Sequence, residues 1–371
     1  MSVDMLMRGS TRSLRGFGLC LILLASLLLG ACGDKSAPSS GFAGLGQEAG
    51  DFNKVERGRV LQFPVDHGQH DGYRIEWWYI TANLKDEAGQ DWGVQWTLFR
   101  SALRPGQEQA GWNSPNVWMG HAALSSPNGH QFAETLARGG VGQAGVEAQP
   151  FKAWIDDWAL QSTGGEGIDQ LQMRAAGKDF RYQLELLAQG PLVQHGDQGY
   201  SEKSGQGQAS YYYSQPFYQV KGEVERDGKK HRVRGQAWLD REWSSQPLSK
   251  SQQGWDWFSL HLDSGAKVML FQVRQSDGKP YRAGTWITPD GKAQPLRGDQ
   301  ILLTDQATTT QDNQRKVPTR WRVQIPDFKL DVQTEAIQPR AWMGTSFAYW
   351  EGPVSLTGSA GGRGYLEMTG Y

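Results

Sequence analysis

From Trp92 to Arg100 the chain alternates strictly, with Trp92, Val94, Trp96 and Leu98 on one side of an extended backbone and Gly93, Gln95, Thr97 and Phe99 on the other. Successive side chains of a strand point to opposite faces, so a period of two predicts a half-buried β-strand. Phe180 to Leu187 repeats the pattern, with Phe180, Tyr182, Leu184 and Leu186 set against Arg181, Gln183 and Glu185. Further strands are predicted near 118–125, 217–225, 231–240, 255–262, 267–274, 281–288, 319–325, 347–357 and 363–369, where β-branched and aromatic residues run between Gly, Asp, Asn and Pro. Asp227-Gly228, Asp277-Gly278 and Asp290-Gly291 are pairs that supply the positive φ of a tight hairpin. The reading is all-β and built of hairpins, with the Gly-rich segments 138–170 and 194–214 as long loops at a barrel mouth.

Two clusters open alike and two close alike. Glu76-Trp77-Trp78-Tyr79 runs through Gly89 to Phe99-Arg100, and Trp255-Asp256-Trp257-Phe258 runs through Gly265 to Phe271 and Arg274. The closings are Gly235-Gln236-Ala237-Trp238-Leu239-Asp240 and Gly362-Arg363-Gly364-Tyr365-Leu366-Glu367. Self-similarity at this spacing is too long for a solenoid and marks a duplicated unit. A sheet that hides one face and removes its edges curls into a barrel. Two tandem antiparallel β-barrels are therefore expected, divided near Ser244 to Gln253, with Trp78 and Trp257 in equivalent opening strands.

Composition adds an address. Arg8, Arg12 and Arg15 precede an apolar run from Phe17 to Leu29, which has signal-peptide length. The run ends in Leu29-Gly30-Ala31-Cys32, which resembles the lipobox of bacterial lipoproteins, with Cys32 as the lipidated residue. The expected layout is a signal at 1–32, a flexible tether at 33–55, and folded domains at 56–247 and 248–371. That places the protein on the periplasmic face of a bacterial membrane, with the membrane as partner through the lipid anchor. Only Cys20 and Cys32 are cysteines, so the folded part has no disulfide or thiol chemistry. A net charge of -1, with no basic stripe, argues against a nucleic-acid partner.

From about residue 60 to its end the chain resembles the AttH-like and carotenoid 1,2-hydratase superfamily of two-domain lipocalin-like proteins. The resemblance rests on Phe63-Pro64, Asp66-His67-Gly68 with His70, Glu76-Trp77-Trp78-Tyr79, Gln95-Trp96-Thr97 with Phe99-Arg100, and Gly120-His121-Ala122. It continues through Tyr211-Tyr212-Tyr213-Ser214, Asp240-Arg241-Glu242-Trp243, Gly254-Trp255-Asp256-Trp257-Phe258, Tyr349-Trp350-Glu351-Gly352 and Gly364-Tyr365-Leu366-Glu367-Met368-Thr369-Gly370-Tyr371. The resemblance implies two lipocalin-like barrels. The superfamily mixes carotenoid hydratases with secreted proteins of unknown activity, and where the hydratase branch carries a histidine-containing segment this chain has Arg241.

Hydrating an isolated alkene requires a carboxylic acid dry enough to protonate carbon and aromatic faces to stabilise the cation. Glu76, Asp240, Glu242 and Asp256 are the candidate acids, and Trp77, Trp78, His121, Tyr212, Arg241 and Trp243 the candidate ligand-facing residues. Glu76, Asp240, Arg241 and Glu242 are expected together near the interior of the N-terminal barrel. The competing structural reading stacks Arg100 or Arg241 on Trp77, Trp78 or Trp243 to close the barrel, with an acid pairing the arginine. His67 and His70 stand three apart without a third ligand at recognisable spacing, so no metal is expected, and no other cofactor is implied. No Gly-x-Ser-x-Gly elbow is present. The leading reading is a lipid-anchored protein that holds an extended apolar lipid or isoprenoid-like molecule in its N-terminal barrel. A cofactor-independent hydratase or a hydrolase, and an accessory of an envelope transporter, are the alternatives.

Overall fold

The computed structural model describes residues 50–246 and 251–371; the expected signal segment, Cys32 and the expected tether up to residue 49 lie outside the described residues. The strands of the first half are β1 Ile75–Asp86, β2 Asp91–Ala102, β3 Asn116–Ser126, β4 Gly129–Arg138, β5 Ala144–Ala148, β6 Phe151–Ile155, β7 Trp158–Ser162, β8 Gln170–Ala176, β9 Phe180–Ala188, β10 Val193–Gln194, β11 Tyr200–Glu202, β12 Ala209–Arg226 and β13 Lys229–Ser244. Those of the second are β14 Gln252–Leu262, β15 Lys267–Gln275, β16 Tyr281–Ile287, β17 Ala293–Arg297, β18 Leu302–Thr310, β19 Lys316–Ile325, β20 Leu330–Ala336, β21 Trp342–Met343, β22 Tyr349–Gly358 and β23 Gly362–Thr369. The segment 138–170, expected as loop, holds β5, β6 and β7. Each of those strands has only five residues, too few for alternation to stand out from the surrounding glycines. Likewise β10, β11 and the start of β12 occupy much of 194–214.

Among the described residues the strands form two antiparallel sheets, a nearly closed barrel and a half-barrel, as expected of two lipocalin-like barrels. The first sheet runs β4-β3-β2-β1-β13-β12-β9-β8-β7-β6-β5, and the second β17-β16-β15-β14-β23-β22-β20-β19-β18. Reading outward from β1 and from β14, the two orders correspond strand for strand as far as β7 and β18. Register sharpens the match, because Tyr79 lies opposite Asp240 while Trp257 lies opposite Glu367. Trp257 thus corresponds to Tyr79, and Trp255 to Trp77. Trp78 and Trp257 are in equivalent strands but face opposite ways.

Gly235 shows why the closing motif begins with glycine. It pairs with Leu84, and a Cβ placed on it would lie 2.0 Å from the Asn83 carbonyl oxygen. Any side chain there forces the strands apart, and Gly362, the equivalent residue, meets the His261 carbonyl oxygen at 2.2 Å.

Inside the first barrel, Trp78, Trp96, Trp118, Trp243 and Tyr213 are fully buried in one apolar cluster. Glu76 is buried beside them. Its carboxylate accepts from Arg100 Nε at 2.6 Å, from Arg241 at 3.1 Å and from the His70 backbone N–H at 2.9 Å. Burial by itself would raise the Glu76 pKa, but Arg100, His70 and Arg241 outweigh it and hold the carboxylate ionised, well below its ordinary range. The Arg241 guanidinium lies 3.9 Å from the centre of the Trp78 ring, and His70 stacks on Trp243 at 3.9 Å. The interior is thus occupied by side chains and an ion-paired cluster, with Arg241 Nε left without a hydrogen-bond partner among the described residues. Replacing Glu76 by Gln leaves Arg100 and Arg241 without their counter-charge, which is expected to destabilise the fold by about 3–5 kcal/mol. Denaturant unfolding checks this, and a loss of under about 1 kcal/mol contradicts the closure role.

Candidate functional site

Alternation on β13 separates the residues that the sequence groups together. Arg241 and Trp243 enter the barrel, whereas Asp240 and Glu242 leave by the opposite face. On β1, Glu76 and Trp78 go inward while Trp77 and Tyr79 go outward with the two acids. The outward face packs on the second sheet. A cluster of Tyr79, Tyr212, Phe217, Trp238, Trp257, Met269, Phe271 and Tyr365 fills the seam, with Trp77 and Trp255 half-buried beside it.

Within the seam lies a cleft of about 110 Å³. Its walls include Trp77, Tyr79, Phe99, Tyr212, Trp255, Trp257, Phe271 and Val273, and its polar groups include Lys203, Ser210, Asp240, Glu242 and Glu367. Sites for whole drug-sized molecules begin near roughly 300 Å³. The cleft as it stands therefore accommodates the reacting portion of a ligand, not an extended lipid.

Asp240 is the best-held acid. Its Oδ1 accepts from Trp238 Nε1 at 2.6 Å and from the Ser214 hydroxyl, and its Oδ2 accepts from Tyr212 at 2.9 Å. The Tyr212 oxygen in turn accepts from Trp257 Nε1 at 3.1 Å, so this chain of donors crosses from one sheet to the other. Burial pushes the Asp240 pKa up to about 7 against the pull of Ser214, Trp238 and Tyr212, with Glu242 reinforcing the rise. Behind it, Ser214 lies 2.6 Å from His195 Nε2, and His195 Nδ1 lies 2.9 Å from Thr285. Burial, followed by the Lys203 charge, lowers His195 to about 3, so the imidazole is neutral.

Glu367 occupies in the second sheet the position of Asp240 in the first. It accepts from Trp255 Nε1 at 2.6 Å, and burial, opposed by that indole, raises it to about 7, with Asp240 and Glu242 adding to the rise. Glu242 is paired with Lys203 Nζ at 2.7 Å and accepts from Ser210. The ammonium of Lys203 also lies 4.8 Å from the Tyr212 ring centre and 4.5 Å from that of Phe271.

Of the sequence-predicted site residues, Trp77, Tyr212, Asp240 and Glu242 meet at the cleft. Glu76, Trp78, Arg241 and Trp243 belong to the closure of the first barrel, so the expected grouping of Glu76 and Arg241 with Asp240 and Glu242 does not form. A strand cannot send adjacent residues to one face. Asp256 is buried on the inward face of the second sheet, paired with Arg274 and accepting from Tyr371 at 2.9 Å. His121 is buried away from the cleft, with its ring between Tyr349 and Glu134. Sequence reasoning missed Lys203, His195, Ser214, Tyr79 and Glu367 as site residues. Glu367 was within reach, because the paired closing motifs set it against Asp240.

The pH dependence of stability follows from the raised acids. An acid with a raised folded pKa binds its proton more tightly folded than unfolded, so the contribution is fully present below the unfolded value. It is lost as pH rises through the folded value. For Asp240 the window runs from 3.8 to about 7, and at about 1.4 kcal/mol per unit its ionisation costs on the order of 4 kcal/mol. Asp240→Asn is therefore expected to be more stable than wild type near pH 8, with a shallower decline from about pH 5. Chemical denaturation at both pH values measures it, and parallel wild-type and variant curves contradict the raised acid.

A family model described as AttH-like matches residues 54–371. The fold is similar to that of an AttH from Nitrosomonas europaea, at 33% identity and a TM-score of 0.77, covering 86% of this chain and 100% of that one. It is also similar to kievitone hydratase from Nectria haematococca, at 13% identity and a TM-score of 0.64, covering 87% and 96%. CghA bound to Sch210972 gives 12% identity and a TM-score of 0.51, covering 80% and 88%. At these identities the last two speak for the fold alone. A search of curated proteins returns no match. On the family match over nearly all of the folded chain, this protein belongs to the AttH-like family.

Proposed function

We propose that the protein is a cofactor-independent hydro-lyase that adds water to, or removes it from, an apolar unsaturated small molecule whose reacting carbons enter the cleft between the two sheets. The single observation behind this is a pair of carboxyl groups, buried Asp240 and half-buried Glu367, both raised to about 7 in an aromatic-walled space. Near neutral pH one can be neutral while the other is ionised, which supplies an acid and a base in one cleft. The kievitone hydratase fold neighbour is in keeping with this reading.

In the hydration direction, the Asp240 carboxyl gives its proton to one alkene carbon, and the π electron pair becomes the new C–H bond. The adjacent carbon, now cationic, faces the rings of Trp255, Trp257 and Tyr212, whose electron-rich faces stabilise it. A water oxygen bonds to that carbon, and the surplus water proton passes to the Glu367 carboxylate. Tyr212 and Trp238 then satisfy the ionised Asp240. Dehydration is the reverse sequence.

The test incubates the protein with an apolar extract of the producing cell in heavy-oxygen water and seeks products that have gained one labelled oxygen and two hydrogens. Wild type is expected to form such products, and Asp240→Asn to lose about 100- to 10,000-fold in rate. Labelled product formed equally by the folded variant overturns the assignment to Asp240, and its absence with wild type overturns hydration.

The membrane address is a second part of the proposal, supported by the lipobox-like Leu29-Gly30-Ala31-Cys32 after an apolar run. A diacylglyceryl group on Cys32 holds the protein at the periplasmic membrane surface. Cys32→Ala is expected to shift it to the soluble fraction or leave it unprocessed. Unchanged fractionation and electrophoretic migration contradict the anchor.

A further inference from the structure

The cleft's second acid has a buried neighbour that the hydration chemistry leaves unused. Glu351 on β22 and Glu367 on β23 are direct cross-strand partners, which places their Cβ atoms about 5 Å apart on one face. Glu351 is fully buried, and one of its oxygens accepts from Tyr79, across the seam. Its other oxygen has no partner among the described residues. A buried carboxylate would pay heavily for that, whereas a neutral carboxyl tolerates it. Burial, reinforced by Glu367, keeps Glu351 protonated far above the ordinary carboxylate range.

Beside Glu351 a row of hydrogen-bonded groups leads outward from Tyr349. The Tyr349 hydroxyl, two residues from Glu351 on the same face of β22, lies 2.9 Å from His121 Nδ1. His121 Nε2 lies 3.0 Å from Glu134, which keeps 21% of its side-chain surface exposed. Glu134 also accepts from the Ser346 backbone N–H at 2.9 Å and hydroxyl at 2.8 Å, and His121 with these donors holds it ionised, lowered to about 2. Burial keeps His121 neutral against the pull of Glu134. A neutral imidazole that accepts at one nitrogen and donates at the other passes a proton by exchanging them.

We propose that Glu351, Tyr349, His121 and Glu134 form a proton path between the cleft and bulk solvent, entered from Glu367. The path rests on the hydration reading and deepens it. Once water has added, Glu367 holds a proton that it must shed before it can act again. Glu351 takes that proton while giving its own to the Tyr349 oxygen, Tyr349 gives its hydroxyl proton to His121 Nδ1, His121 releases its Nε2 proton to Glu134, and Glu134 releases it to water. Each group gains one proton and loses one. Asp240 recovers a proton from water admitted to the emptied cleft, so the cycle closes with no net change. These four are positioning and relay residues that do not touch the substrate.

The path is tested on the full chain without substrate. Above the value of about 7 to which Asp240 and Glu367 are raised, the infrared band of a buried protonated carboxyl belongs to Glu351, and its loss in Glu351→Gln assigns it. On mixing into heavy water the band shifts as the proton exchanges. His121→Gln keeps an amide that can donate to Glu134 and accept from Tyr349 but cannot relay. It is expected to slow the exchange by at least about tenfold with an unchanged melting temperature. Glu134→Gln, at the partly exposed end, is expected to do the same and decides the matter if His121→Gln is poorly folded. Exchange at the wild-type rate in the folded variants overturns the path. If labelled-water addition depends on Asp240 but exchange ignores His121 and Glu134, the path alone falls. If exchange slows while wild type hydrates nothing, the hydration reading falls and the conduit remains.

Discussion

The site depends on the two-residue period of β13. Between Asp240 and Trp243 that strand carries charge and aromatic surface on both faces, and the pleat sorts them: Arg241 and Trp243 inward, Asp240 and Glu242 outward. A shift of one residue in pairing would exchange the two sets. It would bury Asp240 and Glu242 among the first barrel's tryptophans and turn Arg241 away from Glu76. The closure ion pairs of Glu76 with Arg100 and Arg241 therefore also fix the register that presents acids to the seam.

The seam makes those acids unusual. Each sheet sends outward a face that is too apolar for water, and packing the two together removes Tyr212, Trp238, Phe271 and Tyr365 from solvent. Three carboxyl groups, Asp240, Glu242 and Glu351, are buried with them, and Glu367 is half-buried at the cleft. Glu242 has the ammonium of Lys203, while Asp240 and Glu367 have only neutral donors. Neutral donors do not offset the loss of hydration for a full charge, so these two are driven toward the protonated form. The aromatic burial that stabilises the seam thus works against ionisation within it. Asp256 is raised as well, because burial outweighs the pull of Arg274 and Gln272.

Much of the fold was legible because strand periodicity is local. The all-β class and most strands of eight or more residues follow from alternation visible in windows such as Trp92 to Arg100, although β4 and β18 were not predicted. The short strands β5, β6 and β7 did not, because five residues between glycines carry too little pattern. The site was half legible. Asp240, Glu242, Trp77 and Tyr212 could be named from their residue types, but which barrel face they occupied was a matter of register and packing between sheets. Adjacency in sequence drew Glu76 and Arg241 into the same group, although a strand separates neighbours. Lys203, His195 and Ser214 come together only through the pairing of β12 with its neighbours and the loop before it, which no local signal announces.

Everything in the site rests on a seam that keeps a carboxylic acid protonated near neutral pH. Carbon-13 NMR titration of the Asp240 side-chain carboxyl measures this most directly, with Asp240→Asn assigning the signal. A midpoint near 7 is predicted. A midpoint close to the ordinary value of 3.8 would mean that the cleft is wet and the acid an ordinary carboxylate, contradicting the account.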